Sequence, residues 1–298
     1  MTVVDPTRVL ERLAAGDALT DDETAELIES RDLIVLGMLG DAVRKRQHGR
    51  RVTFVRVVEV PVETGSPPTE DARTCGLWRL TGAPASVETL VAFVRQVARA
   101  AGPVPISGFS LEALAALARR EGRPLTDLLA ALRDAGLRLV ADGLIDGAVD
   151  PVETFGAARH VGVSVERATV KGLVRDWPAT AARLERVADA YGDALRFAPL
   201  PRGDAAATAT GYDDVRQVAL ARLLVPSLAS IQVDWRLHGP KLAQVALLFG
   251  ADDIDVVVTP DDATLGPRRG QLVDVHRSIE AAQLEAVERD GREELMTA

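Results

Sequence analysis

Apolar residues recur with the spacing of a helix in four separate places along the chain. In each of them the apolar positions fall at i, i+3, i+4 and i+7, which places them on one face of a helix. A glycine follows the last apolar residue of each run, where a left-handed cap would end the helix. The pattern therefore predicts amphipathic helices around residues 90–97, 125–132, 184–191 and 242–249.

Short runs rich in β-branched residues separate these helices and predict strands. The runs are Val52–Val60, Val104–Phe109, Leu137–Ala141, Val163–Val170, Leu195–Ala198, Ile231–Leu237 and Ile254–Val258. Strands that alternate with helices favour parallel pairing and an α/β fold. A complete β/α barrel has eight strands, and about seven are recognised here. The sequence thus predicts a trimmed, incomplete TIM-like β/α barrel.

The rest of the chain divides into a prefix, a loop and a tail. Residues 1–47 contain TDDETAELIES and DLIVLGMLGDAVRKRQ, which predict an N-terminal helical cap. Residues 48–298 form the barrel with its C-terminal tail, so the chain is one domain overall. Residues 61–84 are rich in proline, glycine and serine, and we expect a long exposed loop there.

Composition narrows the range of partners. The chain has 298 residues, with 44 acidic and 35 basic side chains and a net charge of −9. That charge repels phosphate backbones and anionic lipids, so nucleic acid and membrane surfaces are poor partners. No apolar run is long enough to span a membrane, and the first residues lack a signal-peptide pattern, which predicts a cytoplasmic location.

The run DDVRQVALARLLVPSLASIQVDWRLHGPKLAQVALLFGADDID, residues 213–255, resembles the end of a known group of barrels. It is similar to the menaquinone-pathway radical S-adenosylmethionine (SAM) enzymes, the aminofutalosine synthase and cyclic dehypoxanthine futalosine synthase group, and the tail IEAAQLEAVERD is similar to the closing segment of these enzymes. The resemblance implies a β/α barrel with a CxxxCxxC loop after the first strand. Three thiolates of that loop would hold a [4Fe-4S] cluster.

This chain departs from the resembled pattern at the residues that carry the chemistry. It has a single cysteine, Cys75, and Glu63-Thr64-Gly65-Ser66 stand where the cluster loop would be. Leu173 replaces a usual histidine, and Leu144 and Ile145 replace usual glycines. We therefore expect a degenerate member of the group with no cluster, no other metal site and no bound SAM. Cys75 is expected to be an unreactive thiol.

Polar residues within predicted strands are the candidate site. If IQVDWRLH is a strand, Gln232, Asp234, Arg236 and His238 share one face. Arg236 could then bind a carboxylate, and His238 could move a proton. The candidate catalytic residues are His238, Asp234 and Glu166. The candidate ligand-binding residues are Arg56, Asp142, Arg196, Arg236 and Asp252.

The same polar residues could instead form ion pairs that fill an emptied pocket, with Glu166 bound to Arg56 or Arg196. The leading hypothesis is a non-radical homologue, a pseudoenzyme, that supports the futalosine pathway by binding a related enzyme or a nucleoside-like intermediate. The alternative is an active lyase or hydrolase that uses the polar residues of the barrel mouth. A third option is a radical enzyme whose cluster has unrecognised ligands.

Overall fold

Parallel strands close into a barrel in the computed structural model, which describes residues 5–64, 74–192, 195–200, 210–257, 272–292 and 294–296. The barrel strands are β1 (Arg51–Pro61), β2 (Leu77–Thr81), β3 (Ile106–Ser110), β4 (Leu139–Leu144), β5 (Ser164–Val165), β6 (Ala168–Thr169), β7 (Arg196–Ala198), β8 (Ser230–Asp234) and β9 (Asp253–Val257). Strands β5 and β6 are two halves of one strand position beside β4, and pairing of β1 with β9 closes the ring. The described residues thus supply eight strand positions.

Helices surround the barrel and connect its strands. They are α4 (Val87–Ala101), α5 (Leu111–Arg120), α6 (Leu125–Ala135), α7 (Pro151–His160), α8 (Trp177–Tyr191), α9 (Gly211–Leu224), α10 (Trp235–His238), α11 (Pro240–Leu247) and α12 (Leu272–Ala281). The four helices predicted from apolar spacing are confirmed as α4, α6, α8 and α11. Gly136 and Gly192 end α6 and α8 in the left-handed conformation. Within the described residues no helix is long and apolar enough to cross a membrane.

The TIM-like barrel is confirmed, but the expectation that it is trimmed by one strand is wrong. The missing strand is β2, which lies inside the segment predicted as an exposed loop. Its Trp78 and Leu80 pack outward into the core, while Leu77 and Arg79 face the interior. This alternation was not recognised in the sequence because turn-forming residues lie on both sides of the strand. The link from β1 to β2 lies partly outside the described residues, and its described part contains one 3-10 turn, Val62–Thr64.

The N-terminal residues form α1 (Pro6–Ala15), α2 (Asp21–Glu29) and α3 (Leu33–His48), of which α2 and α3 coincide with the two runs predicted as helices. Helix α3 packs along α9 on the outer wall of the barrel. The buried Arg222 on α9 holds α3 in place. Its guanidinium donates one hydrogen bond of 2.6 Å to the side-chain oxygen of Gln47 on α3 and another of 2.9 Å to the carbonyl of Gly250. The prefix is therefore joined to the barrel through a buried polar contact.

Gly40 allows the close approach of α3 to the barrel. A Cβ at this position would lie against the carbonyl oxygen of Phe249, closer than any real contact allows. We expect Gly40→Ala to lower the free energy of unfolding by about 1–3 kcal/mol, because backbone must shift to make room. The matched control is Gly156→Ala on α7, where a new Cβ meets nothing. Equal stability of the two variants in urea denaturation would refute the close contact.

The C-terminal tail adds a tenth strand that lies directly below β2. Strand β10 (Glu285–Glu288) pairs in parallel with the first residues of β1, and β2 pairs with the last residues of β1. The next residue, Arg289, donates its backbone N–H to Phe54 O, and Gly291 donates to Gly76 O. The tail therefore runs beneath the N-terminal ends of the strands and brings Arg289 to the barrel interior.

Candidate functional site

A network of buried ion pairs occupies the middle of the barrel interior. Arg79 on β2 contacts the carboxylate of Glu166 at 2.6 Å and that of Asp255 on β9 at 2.9 Å. Arg167 contacts the same Asp255 at 2.7 Å and lies 3.2 Å from the amide oxygen of Gln232. All five side chains are buried. Strands from opposite sides of the barrel are therefore joined through its centre.

Glu166 and Arg167 are neighbours in sequence, yet both side chains enter this network. Successive residues of a regular strand point to opposite faces. The break between β5 and β6 falls at these two residues and relaxes that alternation. The interruption in the strand thus places a carboxylate and a guanidinium in the interior where a continuous strand would supply only one.

A second cluster around Asp253 fills the interior nearer the N-terminal ends of the strands. Arg289 from the tail makes two 2.7 Å hydrogen bonds to the Asp253 carboxylate. Arg196 on β7 lies 3.3 Å away, Gln232 donates at 2.7 Å and Thr53 donates at 2.6 Å. Two-point contact between a guanidinium and a carboxylate is the strongest geometry for such a pair.

Charges in the interior balance among the described residues, and nearby guanidinium groups lower the pKa values of two of the carboxylates, Glu166 and Asp253. Burial alone would raise the pKa of Glu166, but the guanidinium groups of Arg79 and Arg167 outweigh it and lower that pKa. Burial likewise opposes the charge of Asp253, yet Arg289 and Arg196 hold its pKa well below the usual range. Four buried guanidinium groups face four buried carboxylates: Arg79, Arg167, Arg196 and Arg289, and Asp234, Glu166, Asp253 and Asp255. Such compensation is what allows buried charges to persist.

Three predicted site residues, Glu166, Arg196 and Asp234, belong to this interior, but the predicted pairing of Glu166 with Arg56 or Arg196 was wrong. The Glu166 side chain pairs with Arg79 and also lies 3.6 Å from Arg167, whereas Arg196 donates to the Glu166 backbone carbonyl at 3.2 Å. Arg56 does not join the network. It contacts Glu288 of the tail at 2.5 Å and the carbonyl of Thr74 at 2.8 Å. Sequence reasoning missed Arg79 as a partner because it assigned that residue to a loop.

The predicted strand through IQVDWRLH is also corrected. Strand β8 ends at Asp234, and the chain continues as the short helix α10. Asp234 caps that helix by accepting the Leu237 N–H at 2.7 Å. Arg236 instead reaches Glu59 at 2.6 Å, with both side chains partly exposed, and His238 Nδ1 lies 3.2 Å from the Asp234 carbonyl. The four polar residues therefore do not share one strand face.

Asp142 and Asp252 lie at opposite ends of the barrel. Asp142 is near the C-terminal end of β4, with its carboxylate 3.8 Å from Arg167. Asp252 precedes β9 at the N-terminal end, where it is buried, pairs with Arg222 and accepts the Ile231 N–H at 2.8 Å. Catalytic residues of TIM barrels come from the C-terminal ends of strands. The position of Asp252 is that of a residue that stabilises the fold.

The residues present do not fit the iron–sulfur cluster that the resemblance implies. The sequence contains one cysteine, and Cys75 is buried just before β2, at the N-terminal end of the barrel. The resembled cluster loop would follow β1 at the opposite end. Among the described residues no group of three or more His, Cys, Asp or Glu side chains could hold a metal ion.

Cys75 is expected to alkylate slowly in the native protein. Burial raises the pKa of its thiol, and Glu288 adds to that shift while Arg56 opposes it. Because the thiolate is the reactive form, iodoacetamide at neutral pH should label native chain far more slowly than urea-unfolded chain. Mass spectrometry over time measures both rates. Equal rates would show that the thiol is open to solvent.

Sequence reasoning missed the residues that complete the network: Arg79, Asp253, Asp255 and Arg289. A usable signal existed for two of them. In GADDIDVVV, acids stand at positions 253 and 255 beside a strongly apolar strand, and period two places both on the interior face. Arg289 had no such signal, because only the fold shows that the tail enters the barrel.

Comparison with known proteins places these features in context. No protein-family model matches the chain. It is 24% identical to the aminodeoxyfutalosine synthase of Thermus thermophilus, over 83% of this chain and 82% of that protein. It is 26% identical to the 5-amino-6-(D-ribitylamino)uracil–L-tyrosine 4-hydroxyphenyl transferase of Methanoculleus marisnigri, over 83% and 84%.

Among solved structures, methylornithine synthase superimposes with a TM-score of 0.65 at 17% identity, covering 93% of this chain and 97% of that one. This similarity shows a shared barrel, and the sequence similarities agree with the resemblance carried by residues 213–255. The comparisons therefore support the resemblance to the futalosine-pathway group of radical SAM enzymes, and this chain differs from the pattern of that group by having a single cysteine in its sequence.

Proposed function

We propose that this chain is a non-radical barrel protein that supports the futalosine route to menaquinone by binding a related enzyme. It works without an iron–sulfur cluster and without SAM. The observation that carries the proposal is the interior ion-pair network, in which Arg79, Glu166, Arg167 and Asp255 contact one another across the barrel centre. The single cysteine, placed at the N-terminal end, supports the same conclusion.

The guanidinium groups of Arg79 and Arg167 are already paired with carboxylates of the same chain. A ligand that bound either guanidinium would have to displace Glu166 or Asp255. Removing one partner of a buried pair costs about 3–5 kcal/mol, because the remaining charge is left uncompensated. The geometry thus favours recognition of a protein over capture of a nucleoside-like intermediate inside the barrel.

A second candidate is catalysis at the C-terminal face. It is supported by the Glu59–Arg236 pair, which is partly exposed where TIM-barrel enzymes bind substrates, and by His238 on the same helix. Arg236 could exchange Glu59 for a substrate carboxylate in a lyase or hydrolase. Glu166 fits this role less well, since its lowered pKa keeps it charged and unable to donate a proton. If futalosine-type compounds raise the melting temperature of wild type but not of Arg236→Gln, this candidate replaces the first.

The binding proposal is tested by affinity capture followed by direct measurement. Tagged full-length chain is used as bait in native extract, and mass spectrometry identifies what it retains. The proposal predicts recovery of a cysteine-bearing radical SAM enzyme of the same group, and titration calorimetry of the two purified proteins should then show saturable binding. Failure to recover such an enzyme, or no calorimetric signal when the two purified proteins are mixed, would contradict it.

A further inference from the structure

An apolar groove runs along the outer wall of the barrel, away from the interior network. Helices α3, α9 and α11 form its walls, and its volume is about 800 Å³. Large apolar side chains line it: Ile34, Met38, Tyr212, Val245 and Leu248. We call this surface the α3–α9–α11 face. The sequence analysis and the proposed function leave it unexplained.

The exposed apolar side chains of this face form a cluster, which distinguishes them from the single exposed apolar residues found on most protein surfaces. Ile34 is 76% exposed, Tyr212 is 74% exposed and Met38 is 59% exposed, and all three contribute to the same groove. Single exposed apolar residues are ordinary on protein surfaces. A contiguous cluster marks an interaction site, and tyrosine and methionine are enriched in such sites.

The sequence of α3 supports the same conclusion independently. Its first eight residues, LIVLGMLG, carry no polar side chain. Leu36 and Leu39 are fully buried on the inner face, whereas Ile34 and Met38 stand one turn apart on the outer face. A helix that is apolar all round is normally covered all round.

We propose that the α3–α9–α11 face binds a second copy of this chain across a two-fold axis. A two-fold interface uses the same patch on both copies, so the patch must match itself. This face offers both parts of such a match, because Ile34 and Tyr212 are highly exposed and the helices beside them enclose a groove. Tyr212 of each copy would fill the groove of the other.

Charge on the two sides of the groove is also self-complementary. Lys241 lines it on α11, and Asp213 and Asp214 directly follow the lining residue Tyr212 in the first turn of α9. Two-fold pairing lets Lys241 of each copy reach Asp214 of the second copy, so both contacts form twice. Burial and the adjacent Asp213 raise the pKa of Asp214. Local pairing of this kind sets register and partner choice.

This inference does not depend on the proposed function. Sedimentation equilibrium of the purified full-length chain over a range of concentrations measures its mass. We expect a species of twice 31.8 kDa that dissociates on dilution. Met38→Glu and Tyr212→Asp should each weaken dimerisation by at least about tenfold, since they place charge in the apolar centre. Leu295→Glu, at an exposed apolar residue elsewhere, is the matched control and should leave the mass unchanged.

Charge reversal tests the proposed pairing. Lys241→Asp should weaken the dimer, and adding Asp214→Lys should restore it, because the two charges then exchange places. Thermal melting of each variant checks that the fold is retained. A wild-type chain that stays monomeric overturns the proposal, and so does a dimer that Met38→Glu and Tyr212→Asp leave intact. A monomer that forms a complex with another protein, weakened by the same variants, assigns the face to that protein instead.

Discussion

Arg79→Met is expected to lower the free energy of unfolding by about 3–5 kcal/mol. The substitution keeps the apolar stem but removes the guanidinium that contacts Glu166 at 2.6 Å and Asp255 at 2.9 Å. Arg167 remains to compensate two buried carboxylates. The loss of stability follows from the uncompensated charge, and urea denaturation monitored by circular dichroism measures it.

Two further variants separate the charge effect from lost packing. The double variant Arg79→Met with Glu166→Gln should recover part of the lost stability, because the stranded carboxylate is neutralised with its partner. Arg236→Met removes one partner of the exposed pair with Glu59 and should cost at most about 1 kcal/mol. If Arg79→Met lowers the free energy of unfolding no more than Arg236→Met does, the interior network does not hold the barrel together.

Asp253→Asn is expected to lower the free energy of unfolding by a similar amount, about 3–5 kcal/mol at neutral pH. The carboxylate compensates Arg289 and Arg196 in the lower interior, and an amide leaves both guanidinium groups unneutralised. It also weakens the anchor of the C-terminal tail, since Arg289 enters the barrel through this contact. Limited proteolysis should therefore cleave the tail of the variant faster than that of wild type.

Acid dependence gives the Asp253 prediction a specific signature. The pKa of Asp253 is lowered in the folded state, against an unfolded value of about 3.9. Its contribution is therefore fully present above about pH 4 and is lost as pH falls through the folded pKa. The stability gap between wild type and Asp253→Asn should stay constant near neutral pH and narrow below about pH 4. A gap that is independent of pH would contradict the charged role of Asp253.

Helices were the most predictable part of this fold. The periodic spacing in α4, α6, α8 and α11 is long enough to distinguish a helix from a strand, and their C-terminal glycines agree with it. Strand β2 was not predicted because LWRLT is short and lies among turn-forming residues. A strand of that length is recognised by its neighbours in the sheet, which the sequence does not show.

The interior was predictable in kind but not in detail. Polar residues in buried strands predicted ion pairs, and Glu166 does lie in one. Its partner could not be derived, because pairing depends on which strands face each other and on the break at Glu166 and Arg167. The change from strand to helix after Asp234 was missed for a similar reason: WRLH has no helical period over four residues, and the cap is visible only in three dimensions.

Anaerobic reconstitution with iron and sulfide tests the central claim most directly. The measurement is iron and sulfide bound per chain after desalting, with charge-transfer absorbance and electron paramagnetic resonance after reduction. A cysteine-bearing enzyme of the same group, treated in parallel, is the positive control. One buried thiol at the N-terminal end of the barrel predicts a colourless, EPR-silent chain without stoichiometric metal. A brown chain that binds about four irons and gives a reduced-cluster signal would contradict the account.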